Sequence, residues 1–173
     1  RGKGATGVYY TADWESHNSL GFNTKMVPVA EAPKTYPDLL DPKWKGKISI
    51  AGSATAIRWI GNVLNAMGLE YLQKLSTQNV KVHNITAGSL GNLIIAGEVP
   101  LSPTITDYTV NIAKRKGAPI EWQPLEPVVT TVGFSGITAR TANPHAAMLF
   151  LDFMHSMEGQ KLVMKEQSSP RKD

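Results

Sequence analysis

Three short segments set Ser or Thr directly ahead of a stretch with helical apolar spacing: Gly52-Ser53-Ala54-Thr55, Thr86-Ala87-Gly88-Ser89 and Thr104-Ile105-Thr106-Asp107-Tyr108. The first turn of a helix carries unpaired N–H groups and a partial positive charge. A hydroxyl there caps the helix or shares those donors with a bound anion. Ser53, Thr55, Thr86, Ser89, Asp107 and Tyr108 are therefore candidate ligand-binding residues, although the plainer reading of any one junction is capping. Tyr108 has three chemical uses: stacking, hydrogen-bond donation, and, as a phenolate, coordination of a hard cation such as ferric iron. A lone tyrosine at a helix start more often packs. Tyr9 and Tyr10 are neighbours on a strand-like piece, so one of them points outward; Tyr10 joins the candidates.

Signals for catalysis are absent. The sequence contains no GxSxG, GxxxxGK[ST], HExxH or post-strand GxGxxG, the patterns that would announce a nucleophile elbow, a phosphate loop, a zinc site or a dinucleotide fold. With no cysteine, thiolate chemistry and disulfide scaffolds are excluded. His17, His83, His145 and His155 each lack a second ligand type at i+3 or i+4, so solvated or helix-end roles outweigh metal ligation.

The elements that must position the candidates can be read from periodicity. The 173 residues are 42% hydrophobic and carry 18 basic against 14 acidic side chains, a formal charge of +4, which fits one globular core or two small ones. The basic residues are scattered, so nucleic-acid binding is not indicated. No run approaches the ~20 apolar residues of a membrane helix, and the opening RGKGATG gives the chain the look of an excised piece. Val8–Tyr10 and Leu20–Asn23 read as two strands around a polar loop. Four prolines between Val27 and Lys47 leave room for one short helix near Tyr36–Leu40. A strand at Lys47–Ala51 precedes a helix over Thr55–Met67, whose stripe is Ile57, Ile60, Leu64 and Met67, ended by Gly68. Further helices are expected around Leu69–Leu75, around Leu90–Ile94 up to Gly97, and over Asp107–Lys116, with strands at Val80–Val82, Val99–Ser102 and Ile120–Trp122. This alternation predicts an α/β layer with a largely parallel sheet, which gathers the three junctions at the carboxyl ends of strands. Val128–Thr138 is a β-branched run. The helix Pro144–His155, begun by Asn143-Pro144, is expected to bury Met148, Leu149, Leu151, Phe153 or their neighbours, and Ser156 starts a last helix.

The phrases YPDLLDPKWKGKISIAG (Tyr36–Gly52), GLEYLQKLSTQNVKV, LIIAGEVPLSPTITDYTVNIAKRKGAPIEWQPLEPVV and NPHAAMLFLDFMHSMEGQKLV resemble the later parts of a bacterial ABC-importer solute-binding protein. The similarity is closest to the type 2 periplasmic binding proteins that include the ferric-iron receptors. The resemblance implies an α/β fold made of the second lobe plus C-terminal helices, with the first lobe largely missing. On that mapping 1–27 is an outgoing crossover strand and loop, 28–127 the second lobe, and 128–173 the return crossover strand and C-terminal helices. It also implies a periplasmic, non-enzymatic receptor with no resident cofactor, handing a small solute (ferric iron, an anion or a small organic molecule) to an ABC permease. In the ferric branch two adjacent tyrosines supply phenolate ligands; Tyr108 matches the second, and Asp107 replaces the first, so Tyr108 is the metal-ligand candidate. Loss of the first lobe would leave apolar faces without partners, which predicts a homo-oligomer with exchanged C-terminal segments. The competing class is a hydrolase or transferase-like enzyme on the same scaffold, which would need a nucleophile–base pair in a cleft.

Overall fold

The structure, a computed structural model, describes residues 2–4 and 7–165. Contacts divide the chain into two units, one formed by His17–Val129 and the other by the segments on either side of it.

The larger unit is built on a mixed sheet. Strand β2 (Gly7–Asn23) enters it at His17 and lies between β5 (Leu101–Thr106) and β6 (Ile120–Gln123), antiparallel to both. Strands β3 (Ser49–Ala51) and β4 (Lys81–His83) pair in parallel, and a parallel bridge from Ile48 to Leu101 ties them to β5. Four strands thus run one way, as a largely parallel sheet requires, and β2 runs against them: inserted between β5 and β6, it is not part of the β-α alternation but comes from the N-terminal segment. The same continuity corrects the two-strand reading of the N-terminal segment. The polar stretch from Thr11 to Asn18 is strand, because pairing partners, not local hydrophobicity, settle its conformation.

Helix α1 (Ala54–Ser76) follows β3, α2 (Ala87–Ala96) follows β4, and α3 (Asp107–Arg115) follows β5. Gly68, at φ 81°, breaks α1 into two helical pieces, a backbone state that glycine enters without Cβ strain. The buried stripe of the first piece is Ala56, Trp59 and Val63, while Ile57, Ile60 and Leu64 face out. The expected stripe is therefore wrong by one residue; two apolar sets interleave on this helix, and the one carrying the large indole of Trp59 is buried. Two apolar clusters cover the sheet. One joins Leu20, Phe22, Tyr36, Ile48, Ile50, Trp59, Val63 and Leu101; the other joins Ala51, Leu90, Ile94, Ile105, Val110 and Ile120. Consecutive Ile50 and Ala51 fall in different clusters, as strand alternation requires. The proline-rich connector forms short 3-10 turns at Val29–Glu31, Pro37–Leu40 and Pro42–Trp44. It is locked inward by Tyr36, whose carbonyl accepts from the Tyr71 hydroxyl at 2.6 Å and whose own hydroxyl donates to Pro127 O at 3.1 Å.

In the smaller unit, β1 (Gly2–Gly4) and β7 (Val129–Ser135) pair with the first half of β2. Helices α4 (Pro144–His155) and α5 (Met157–Val163) pack on each other. Polar bonds hold the helices to the strand: Gln160 Nε2 donates to Asp13 O at 3.1 Å, and His155 Nε2 lies 3.0 Å from Ala12 O. Contrary to expectation, α4 buries no residue; Met148, Leu149, Phe150 and Phe153 are all exposed. Among the described residues, no helix is long and apolar enough to cross a membrane.

Candidate functional site

Because β3, β4 and β5 run in one direction, their carboxyl ends, and so the N-termini of α1, α2 and α3, lie at one end of the larger unit's sheet. Antiparallel β2 brings His17 and Asn18 to that same end, Asn18 pairing with Thr106. Six of the seven sequence candidates therefore share a rim. Ser53 caps α1, its hydroxyl accepting from Thr55 N at a long 3.4 Å. Thr86 caps α2 more tightly: Oγ1 accepts from Ser89 N at 3.1 Å and lies 3.0 Å from Ser89 Oγ. Both of these α2 hydroxyls are exposed. Tyr10 sits in the other unit, where its half-exposed ring meets Phe134 edge-on at 5.2 Å. The side chain of Tyr9 lies outside the described residues.

The α3 corner is built differently. Thr106 makes no cap bond; its hydroxyl meets that of Thr109 at 2.6 Å. Asp107 is buried, and its Oδ1 accepts from Tyr108 N at 2.8 Å and from His17 N at 3.1 Å. The chain has thus placed a carboxylate of its own on the positive end of α3, a favourable position for an acid. Tyr108 is half-buried beside it. A Cβ on Gly91 would stand 3.0 Å from Thr109 Cγ2, so α2 and α3 approach closely near their starts.

The strand ends are pinned by hydroxyl bonds that the sequence does not show. Thr104, wholly buried, accepts from Ala51 N at 3.0 Å and shares a 3.0 Å bond with Ser102. Gly52 N donates to His83 O at 2.6 Å. These bonds hold the end of β3 against both neighbours, and so fix where α1 begins relative to α3. Asn18, 2% exposed, carries an Oδ1 without a hydrogen-bond partner among the described residues. Asn18 had no signal in the sequence, and Thr104, which lies in the third junction segment, was not singled out there, since the strand pairing of each is set by distant partners.

What the rim can do is hold a small polar guest. Two helix starts offer backbone N–H donors with hydroxyls beside them, and the third offers oxygen acceptors. Among the described residues, no group of three or more His, Asp or Glu gathers as a metal cluster. A histidine does reach a serine, His83 Nε2 lying 3.2 Å from Ser49 Oγ. That serine is 2% exposed, out of reach of a substrate, so the pair lacks the cleft the enzyme reading requires.

Comparison with known proteins follows the same line. An uncharacterized protein of Haemophilus influenzae is 28% identical over 175 residues, covering 94% of this chain and 50% of that protein. The periplasmic binding protein AfuA from Actinobacillus pleuropneumoniae, solved with exogenous fructose-6-phosphate bound, is 26% identical with a TM-score of 0.71, covering 94% of this chain and 55% of that one. Iron-bound HitA from Pseudomonas aeruginosa, at 22% identity and a TM-score of 0.72 over 96% of this chain and 56% of its own, shares the fold. The chain thus spans about half the length of these relatives. A family model for bacterial extracellular solute-binding proteins matches residues 5–173, and the chain belongs to that family.

Proposed function

We propose that this chain forms the second lobe and C-terminal helices of a periplasmic receptor that passes a small solute to an ABC permease, and that the solute joins an oxyanion to a hydroxylated body. The carrying observation is the polarity of the rim. The α1 and α2 starts present N–H donors flanked by Ser53, Thr55, Thr86 and Ser89, an arrangement suited to phosphate-like groups. At the α3 start the helix end is already matched by Asp107, and with Tyr108 beside it this corner suits hydroxyls that donate. The fructose-6-phosphate held by AfuA has both halves. Ferric iron is the competing cargo, because Asp107 and Tyr108 are hard oxygen donors.

Amide chemical shifts of the chain, titrated separately with inorganic phosphate, fructose 6-phosphate, fructose and ferric citrate, test this. Inorganic phosphate is expected to move the amides of Ser53–Thr55 and Ala87–Ser89, fructose 6-phosphate to move those and Tyr108, and fructose alone to move none. If only ferric citrate perturbs the rim, or if no compound does, the oxyanion assignment is wrong.

A further inference from the structure

We infer that Asn18, at the foot of the α3 corner, is a solute-contacting residue whose side-chain carbonyl accepts a hydrogen bond from a hydroxyl on the body of the guest; this rests on the oxyanion-and-hydroxyl reading of the rim. Strand register puts the residue there. Asn18 pairs with Thr106, and its neighbour His17 donates its N–H to Asp107 Oδ1 at 3.1 Å. Cross-strand partners stand with Cβ atoms about 5 Å apart and side chains on the same face. Thr106 sends its hydroxyl into the first turn of α3, 2.6 Å from Thr109 Oγ1, so the adjacent Asn18 side chain is directed at that same helix start. Ser49 differs, since it opens β3 at the end away from the rim.

What sets Asn18 apart is an unmet hydrogen bond. It is 2% exposed, and its Oδ1 has no partner among the described residues. The polar side chains beside it are matched: Thr106 by Thr109, Thr104 by Ala51 N and Ser102, and Asp107 by two amides. A buried carbonyl left unpaired loses its hydration and gains nothing in exchange. Leu20, the next residue on the same face of β2, is wholly buried in an apolar cluster, so an apolar side chain at position 18 would serve folding better. The position therefore holds a group that folding does not use. A carbonyl oxygen needs a donor, which a sugar-like hydroxyl supplies and an ionised phosphate oxygen does not. The amide is covered, so the hydroxyl reaches it through a side-chain rotation of the kind that commonly accompanies binding.

Asn18→Leu, close to the parent in side-chain volume, separates a solute contact from a structural role. Its urea midpoint is expected at or above that of the parent, because the unpaired oxygen is gone. In amide-shift titrations its affinity for fructose 6-phosphate should fall about tenfold, the loss of one hydrogen bond, with the response at Tyr108 weakened most. Its affinity for inorganic phosphate should stay that of the parent. Asn18→Ala, which lacks both the amide and the bulk, should show the same split between the two probes. A lower urea midpoint for Asn18→Leu makes the residue structural and overturns the inference. So does fructose 6-phosphate affinity equal to the parent's, or an equal loss for both probes. A parent chain whose rim responds to neither probe fails the oxyanion reading itself, and this assignment with it, whereas a parent that binds both beside a variant that still does so fails the assignment of Asn18 alone.

Discussion

Thr104→Val removes the hydroxyl that fastens the end of β3 to β5 and keeps the side-chain shape. In the parent, Thr104 Oγ1 accepts from Ala51 N and pairs with Ser102 Oγ, each at 3.0 Å, with both side chains and Ala51 wholly buried. The variant leaves the Ala51 N–H without an acceptor in a place water does not reach. An orphaned buried donor costs about 1–3 kcal/mol, and Ser102 loses a partner as well, so about 2 kcal/mol is expected. With a urea slope of about 2 kcal/mol per molar, the midpoint of the larger unit's transition, followed by tryptophan fluorescence, falls by about 1 M. Thr104→Ser is the control. It keeps the oxygen and loses one methyl, costing about 1 kcal/mol. Because Ala51 immediately precedes Gly52-Ser53, the Val variant should also weaken phosphate-induced shifts at Thr55, and the Ser variant should preserve them. Equal midpoints for the two variants, or a Val variant within about 0.3 M of the parent, would refute the claim that this hydroxyl positions the rim.

Other substitutions probe single features. Thr86→Ala should cost α2 about 1 kcal/mol by thermal melting, and Ser53→Ala less, since the Ser53 bond is the longer of the two caps. Burial alone would raise the Glu121 carboxyl, but the Lys114 ammonium at 2.7 Å and the Trp122 N–H outweigh it and hold it below the usual carboxylate range. A depressed folded value means that this stabilisation is present at neutral pH and disappears as pH falls through that value. Lys114→Met should therefore cost about 0.5 kcal/mol at pH 7, a difference that closes in urea titrations as pH falls through the lowered Glu121 value. Gly133→Ala should destabilise the smaller unit by about 2 kcal/mol or more, because a Cβ there overlaps the Trp14 indole; proteolytic susceptibility near α4 reports it.

The strand–helix succession from Lys47 to Gln123 was legible because caps and breakers mark it: Ser53, Thr86 and Gly97 stand at helix ends, and Gly68 stands at the interruption of α1. The path of β2 was not. Asp13, Ser16 and Asn18 are buried on it, yet such residues read locally as loop; only cross-strand pairing and the polar bonds of Gln160 and Ser135 to Asp13 account for them. On α1 the sequence offers two apolar faces one residue apart, and the choice between them depends on the space around Trp59, which periodicity does not encode. The hydroxyl caps of the rim were visible as residues, whereas the Thr104 clasp and the buried Asn18 were invisible because their partners are 53 residues away in one case and across a non-sequential strand pair in the other.

Asp107 separates the two cargoes. Its carboxylate already lies on the amides of Tyr108 and His17, where it stabilises the start of α3 and repels any second anion that approaches. Asp107→Asn retains a carbonyl oxygen for both amides and removes the charge. A charge within one helical turn of a bound oxyanion contributes about 1–2 kcal/mol at an effective dielectric near 20, so the variant should bind inorganic phosphate about tenfold more tightly, with the shifts spreading to Tyr108. A ferric site would respond in the opposite sense, because the same change deletes an anionic oxygen ligand. Measured by calorimetry with phosphate and with ferric citrate, tighter phosphate binding supports the oxyanion assignment. Unchanged or weaker phosphate binding, together with lost iron uptake, would make Asp107 a metal ligand and this rim an iron site.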